Sequence, residues 1–386
     1  MLPRTENLCP EMKFADIPGH EDIKRRLREM ADSGRLPHAL LLEGAEGTGK
    51  FMLARALAQY IHCTDRHDGD SCGHCAACRQ NETFNCVDTV YSFPVVKGKS
   101  QSPVSDDRLA DFKSFVSANP YMDFTTWLTI LDNINAQPQI YVSEASELQR
   151  RLSYRTRASR FKTVLMWLPE RLAEAAANKL LKLIEEPYDD TIFIMTSDNP
   201  RLILPTIYSR TQRIEVPRRT DAELEAILRS TGFSSDAAAD LARIAEGSVS
   251  AALRLNDHSD ERRSHLELFI SLMRNAYARQ VGELRKWSQK CSDIGREGAV
   301  KFIDYCARMV RESFIMHLAD KRLQTVSADE DRFLQRFHPY INHLNVEEII
   351  ERLDHLRRDI LANANARIVF FEFAVRMIIL LRRQPK

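Results

Sequence analysis

The residues His38 to Ile61, "HALLLEGAEGTGKFMLARALAQYI", constrain this chain most. A short apolar run ends in Glu43, a glycine-rich loop follows, and an alanine- and leucine-rich helical pattern begins at Lys50. Strand, glycine loop and helix together form the setting of a phosphate-binding loop, which implies a parallel α/β sheet. Gly44, Gly47, Gly49 and Lys50 supply the flexible turns and the cation such a loop uses to hold phosphates. The pattern G-x-x-x-x-G-K-[ST] then calls for a hydroxyl to hold Mg²⁺. Phe51 stands there instead, and a phenyl ring ligates no metal.

Alternating strand and helix signals continue to about residue 216. "FKTVLMWL" (Phe161 to Leu168) and "TIFIMT" (Thr191 to Thr196) are continuous apolar runs of the kind buried in parallel sheets. Between them "ERLAEAAANKLLKLIEEP" reads as a helix stopped by Pro187, and "QRIEV" (Gln212 to Val216) as a further strand. From Thr220 onward only helical periodicity remains, and residues from about 258 read as a separate all-α region. Residues from about 97 to 135 match no element and read as an insertion. The net charge of +1 gives no global field for nucleic acid, so any such contact must come from a local patch. The most apolar stretch, Ile368 to Leu381, is short and carries Glu372 and Arg376, which argues against a bilayer span and for a cytoplasmic protein.

Cys63, Cys72, Cys75 and Cys78 form C-x₈-C-x₂-C-x₂-C directly after the phosphate-loop helix. Four thiolates close a tetrahedral Zn²⁺ site, and C-x-x-C spacing lets two of them ligate from one tight turn. Four protein ligands leave no open position, so the expected role is structural. His74 is an alternative ligand for one position. A basic run, "QRRLSYRTRASRFK" (Gln149 to Lys162), places Arg151 and Arg155 on one helical face, where they could meet DNA phosphates. A solvated basic face explains the same residues.

The order of these features resembles the bacterial clamp-loader branch of the AAA+ ATPases. "FADIPGHEDIKRRLREMADSGRLPHALLLEGAEGTGK", the four-cysteine module, "AAANKLLKLIEEP", "SRT" (Ser209 to Thr211) and "AEGSVSAAL" (Ala245 to Leu253) carry the likeness over residues 12 to 256. A weaker likeness runs through "NANARIVFFEFAVRMIILLRR" near the end. The resemblance implies an AAA+ domain over 1–217 with a zinc module at about 63–78 and the insertion at about 97–135. A helical lid over 218–257 and an all-α collar over 258–386 would follow. In the family's ATPase subunits the Walker B strand ends in Asp-Glu, and those positions fall here on Trp167 and Leu168. Glu170, two residues on, reads as a helix-end charge. The sensor arginine expected in "GSxRxAL" is Ser250.

Metal ligand, base and sensor are thus all replaced, while Arg210 of "SRT" matches the family's Ser-Arg-Cys arginine, which serves a neighbour's ATP site; a surface arginine that caps the preceding helix is the competing reading. Thr211 departs from that pattern by one small side chain. Ruined pocket with retained finger is similar to the delta-prime type of DNA polymerase III clamp-loader subunit. That type acts beside gamma/tau and delta subunits to place the sliding clamp on primer-template DNA. Whether the altered loop still binds ATP stays open. The competing readings are an active gamma/tau-type ATPase using unusual residues, and a zinc-stabilised adaptor outside the loader.

Overall fold

The computed structural model describes residues 13–97, 102–131, 137–154, 159–188, 190–257, 259–318 and 326–383. The chain divides into two compact units, Met1–Ala242 with Glu246–Ala252, and Arg243–Ala245 with Leu253–Lys386.

The first unit is built on a five-stranded, wholly parallel sheet. Its strands are β1 (Ala39–Glu43), β2 (Thr89–Ser92), β3 (Lys162–Trp167), β4 (Thr191–Ser197) and β5 (Gln212–Glu215), in the spatial order β2-β3-β4-β1-β5. β3 and β4 are buried along their whole length, as expected of central strands covered on both faces. Helices α1 (Glu21–Asp32), α2 (Lys50–His62), α3 (Ala76–Glu82), α4 (Leu109–Ala118), α5 (Phe124–Ile130), α6 (Val142–Leu152), α7 (Glu174–Glu185) and α8 (Pro205–Tyr208) accompany the sheet. α7 turns Ala176, Ala177, Leu180, Leu183 and Ile184 into the core, the i, i+3, i+4, i+7 stripe that its sequence dictates. The helices α9 (Asp221–Ser230), α10 (Ser235–Ile244) and α11 (Val249–Asp257) follow β5.

Register fixes what surrounds the glycine loop. Glu43 pairs with Ser197 and Trp167 with Thr196, so the carboxyl ends of β1, β3 and β4 lie side by side. In open parallel sheets that edge is where ligands bind.

The insertion is not structureless. Leu109, Phe112, Phe115 and Val116 recur at helical spacing and form α4, and the Asp123 carboxylate accepts from the Thr126 N–H to start α5. Both helices are short, 10 and 7 residues, and are held by tertiary packing of aromatic side chains rather than by their own length.

The second unit is all-helical: α12 (Ser259–Tyr277), α13 (Val281–Asp293), α14 (Gly295–Ile315), α15 (Ala328–Phe337), α16 (Val346–Leu361) and α17 (Ala366–Leu380). One face of α17 puts Phe370, Phe373, Ala374, Met377 and Leu380 into the core of this unit. Its other face leaves Ile368 and Ile379 at 65% and 55% exposure. Among the described residues no helix is long and apolar enough to cross a membrane.

Candidate functional site

The glycine loop leaves β1 through Gly44, where a Cβ would lie 2.2 Å from the Val216 carbonyl oxygen. Gly47 has φ +77, and a Cβ there would meet the hydroxyls of Ser248 and Ser250 at 2.2 and 2.3 Å. The Val249 N–H donates to the Gly47 carbonyl at 3.1 Å. The segment around Ser250 is therefore pressed onto the loop. Gly49, with φ +93, caps α2 and passes the chain to Lys50.

Lys50 is buried, and its ammonium is already engaged. Nζ lies 2.7 Å from Asp198 Oδ1 and also donates to the Ala45 carbonyl and, at 3.4 Å, to Thr48 Oγ1. Phe51 turns its ring edge-on to Phe112 of α4, with centroids 5.8 Å apart. Trp167, the last residue of β3, packs on Phe112, Phe115, Phe124 and Trp127. Phe51 and Trp167 thus join one aromatic cluster built by the insertion, beside Lys50 and the glycine loop. Leu168 follows in a left-handed conformation, φ +60.

Tyr121 and Met122, between α4 and α5, close the loop from above. The remaining cavity, bounded by Gly47, Gly49, Lys50, Tyr121, Met122 and Asp198, measures about 10 Å³. That is room for roughly one water, whereas small-molecule sites run to about 300 Å³ and more. Arg219 fills the flank. It is 4% exposed, its Nη2 lies 3.6 Å from where a Gly49 Cβ would sit, and its side-chain nitrogens have no hydrogen-bond partner among the described residues. Burial holds both Arg219 and His20 below their ordinary pKa values.

Glu170 is not a helix-end charge. It sits in a single 3₁₀ turn and accepts from the N–H groups of Asp198 and Asn199 at 2.9 and 3.0 Å, tying the ends of β3 and β4 together. Burial pushes its carboxyl up.

The four cysteines converge: the sulfurs of Cys63, Cys72, Cys75 and Cys78 lie within 4.8 Å of one another. Sγ of Cys63 and Cys72 are 3.6 Å apart, and those of Cys72 and Cys78 3.9 Å. The edge of a tetrahedron of thiolates around Zn²⁺ at its usual bond length is about 3.8 Å, so the donor set fits that ion. Backbone N–H groups of Cys72, Cys75 and Cys78 donate to the sulfurs of Cys63, Cys72 and Cys75, the support a charged thiolate set requires. His74 is exposed, its Nδ1 3.0 Å from the Cys72 carbonyl, and it also comes within ligand distance of Cys72 and Asp65, while Cys75 completes the four-sulfur cluster.

Arg210 follows α8 at the start of β5 and is part-exposed. Its guanidinium pairs with Glu185 of α7, and Nη1 donates to the Thr206 carbonyl at 2.8 Å. Arg151 is bound by Asp106 and Glu147, so its charge is met within the chain. Arg150 and then Arg151 hold the Glu147 carboxyl down at about 2. Arg155 lies outside the described residues.

The sequence reading missed Tyr121, Met122, Phe112 and Arg219. The spacing of Leu109, Phe112 and Val116 and the Asp123 cap were legible signals for the first three. Nothing local marks Arg219, whose burial depends on the loop facing it.

Among curated proteins, the tau/gamma subunit of DNA polymerase III from Haemophilus influenzae is 23% identical over 376 residues, covering 92% of this chain and 48% of that protein. The tau subunit from Escherichia coli is 28% identical over 253 residues, covering 64% and 33%. The chain therefore spans about half or less of the length of these relatives. A solved gamma subunit-related protein of DNA polymerase III from Thermotoga maritima overlaps 93% of this chain and 99% of its own, at 13% identity and a TM-score of 0.38. The family described as "DNA polymerase III, delta subunit" matches residues 19–220, more than half of the sequence. The chain belongs to that family.

Proposed function

We propose that the chain is a non-hydrolysing, delta-prime-type subunit of the replicative clamp loader. In this reading it helps gamma/tau and delta subunits place the sliding clamp on primed DNA, and lends Arg210 to a neighbour's ATP site. The observation that carries it is the contrast between the two sites. The chain's own phosphate loop is filled by Tyr121, Met122 and the Phe51–Phe112–Trp167 cluster, while Arg210 stays at the surface, held among the described residues by Glu185 and the Thr206 carbonyl.

Each part has a physical role. A trans arginine neutralises charge on a transferring phosphoryl group without help from its own pocket. The four thiolates of Cys63, Cys72, Cys75 and Cys78 would hold Zn²⁺, which stabilises the knuckle that α3 caps and supplies no chemistry. Residues 1–217, 218–257 and 258–386 serve as AAA+ domain, lid and collar, and the exposed Ile368 and Ile379 of α17 give the collar an apolar outer edge for a neighbouring subunit.

The named relatives favour a second reading, an active gamma/tau-type motor. Turnover separates the two. The isolated chain with Mg²⁺-ATP should hydrolyse nothing; steady turnover abolished by Lys50→Ala would establish the motor.

A further inference from the structure

In the second unit, two helical stripes face each other across an open groove. α12 contributes Ile270, Met273, Arg274 and Tyr277, the i, i+3, i+4, i+7 positions of one face. α15 and the turn after it contribute Phe333, Arg336, Phe337 and Tyr340 with the same spacing. Leu381 lies beyond the end of α17 and also lines the groove. The groove encloses about 180 Å³. An apolar cavity of about 150 Å³ accepts benzene, so this one holds a single large apolar side chain. Its wall is largely aromatic. Tyr277 and Tyr340 meet edge-on at 4.9 Å, and Phe333 stacks on Phe337 at 5.1 Å. Tyr277 is 49% exposed although its ring is apolar.

Among the described lining residues the charge has one sign: Arg274 and Arg336 are exposed and line the groove from opposite helices, and no described carboxylate lines it. Neither arginine makes an ion pair or a side-chain hydrogen bond among the described residues. Arg382 adds a third cation, with its guanidinium 5.9 Å from the Tyr277 ring and Nη2 donating to the Tyr277 carbonyl at 3.1 Å. Elsewhere in this unit some arginines find acids: Arg262 and Arg308 bind Glu330, Arg357 binds Asp304, Arg376 binds Glu372. An aromatic socket flanked by unpaired arginines is the composition of binding hot spots.

We propose that this groove docks an acidic linear segment of a partner protein, which seats one bulky apolar side chain between Tyr277, Phe333 and Tyr340 and sets its carboxylates against Arg274 and Arg336. The aromatic socket supplies most of the affinity, and the arginines supply sign selectivity and salt dependence. Met273, flexible and polarisable, lets the socket accept Phe, Trp or Leu.

The test uses the full chain and a fluorescein-labelled heptapeptide, Glu-Asp-Glu-Phe-Leu-Glu-Asp, read by fluorescence anisotropy. Saturable binding below about 1 mM is expected. It should weaken at least about tenfold when Phe-Leu becomes Ala-Ala, when the acids become lysines, or in Arg274→Glu/Arg336→Glu protein. It should also weaken as salt rises, because the screening length shortens to below about 10 Å. Both arginines are exposed, so the double variant should keep the wild-type melting temperature. No saturable binding, equal binding of the lysine peptide, or indifference to the double variant overturns the proposal. So does concentration-dependent dimerisation that the double variant abolishes, since the groove would then belong to a second copy of this chain. None of these outcomes depends on whether the chain hydrolyses ATP.

Discussion

Arg210 and Glu185 form an ion pair that ties the start of β5 to the end of α7, with Arg210 37% and Glu185 42% exposed. An exposed pair of this kind is worth roughly 0–1 kcal/mol, whereas an arginine finger contributes a factor of about 10³ or more to phosphoryl transfer. The phosphate contact outweighs the surface pair, so a phosphate presented by a neighbour would draw Arg210 away from Glu185. In a reconstituted loader, Glu185→Gln should therefore leave DNA-stimulated ATPase within about fivefold of wild type. A loss approaching that of Arg210→Ala would instead make Glu185 the group that positions the finger.

The sulfur geometry predicts about one equivalent of Zn²⁺ per chain purified without chelator. Cys72 contacts both Cys63 and Cys78, so Cys72→Ser should lower both metal content and melting temperature. An unchanged melting temperature after exhaustive chelation would refute a structural ion.

The parallel sheet and the glycine loop were legible because their signals are local. Continuous apolar runs mark β3 and β4, and the positive-φ positions of the loop demand glycine at Gly47 and Gly49. The cysteine cluster was legible for the same reason, its spacing being short. What hid was long-range. Tyr121 reaches the loop from 72 positions beyond Gly49, and Arg219 is buried where Gly19, Gly49 and Tyr121, far apart in sequence, come close to it. Glu170 looked like a helix-end charge because its two backbone donors come from the far end of β4.

Tyr121 makes the nucleotide question testable. Wild-type chain should bind a fluorescent ATP analogue weakly and with little dependence on Mg²⁺, because Phe51, Trp167 and Leu168 offer no ligand. Tyr121→Ala should tighten binding about tenfold by clearing the space over Gly49, provided circular dichroism confirms folding, since losing a buried ring costs about 3–5 kcal/mol. Hydrolysis should remain undetectable in both. Tight, Mg²⁺-dependent binding by wild type would contradict a filled loop.

Glu330 predicts how the second unit responds to acid. Burial alone would raise its carboxyl, but Arg308, the Ser327 N–H and Arg262 outweigh burial and hold it below the ordinary value. Tyr305 also donates to it at 3.0 Å. A depressed folded-state pKa means stability that is complete above the unfolded value, about 4.3, and lost as pH falls through the folded one. At neutral pH Glu330→Gln should cost about 3 kcal/mol, the low end for a buried pair because both arginines keep some solvent. The difference from wild type should shrink towards zero below about pH 4. A difference independent of pH would mean that Glu330 acts through shape rather than charge.

The most direct test of a subunit that lends its arginine but burns no ATP is the loader rebuilt with Arg210→Ala, assayed for DNA-stimulated ATPase and clamp loading side by side. One ATP site should lose about 10³-fold in rate while sites served by other arginines continue. Total ATPase should therefore fall in part and clamp loading fall further, with assembly unchanged. If the complex assembles normally and both activities equal wild type, Arg210 is only a surface charge and the account is wrong.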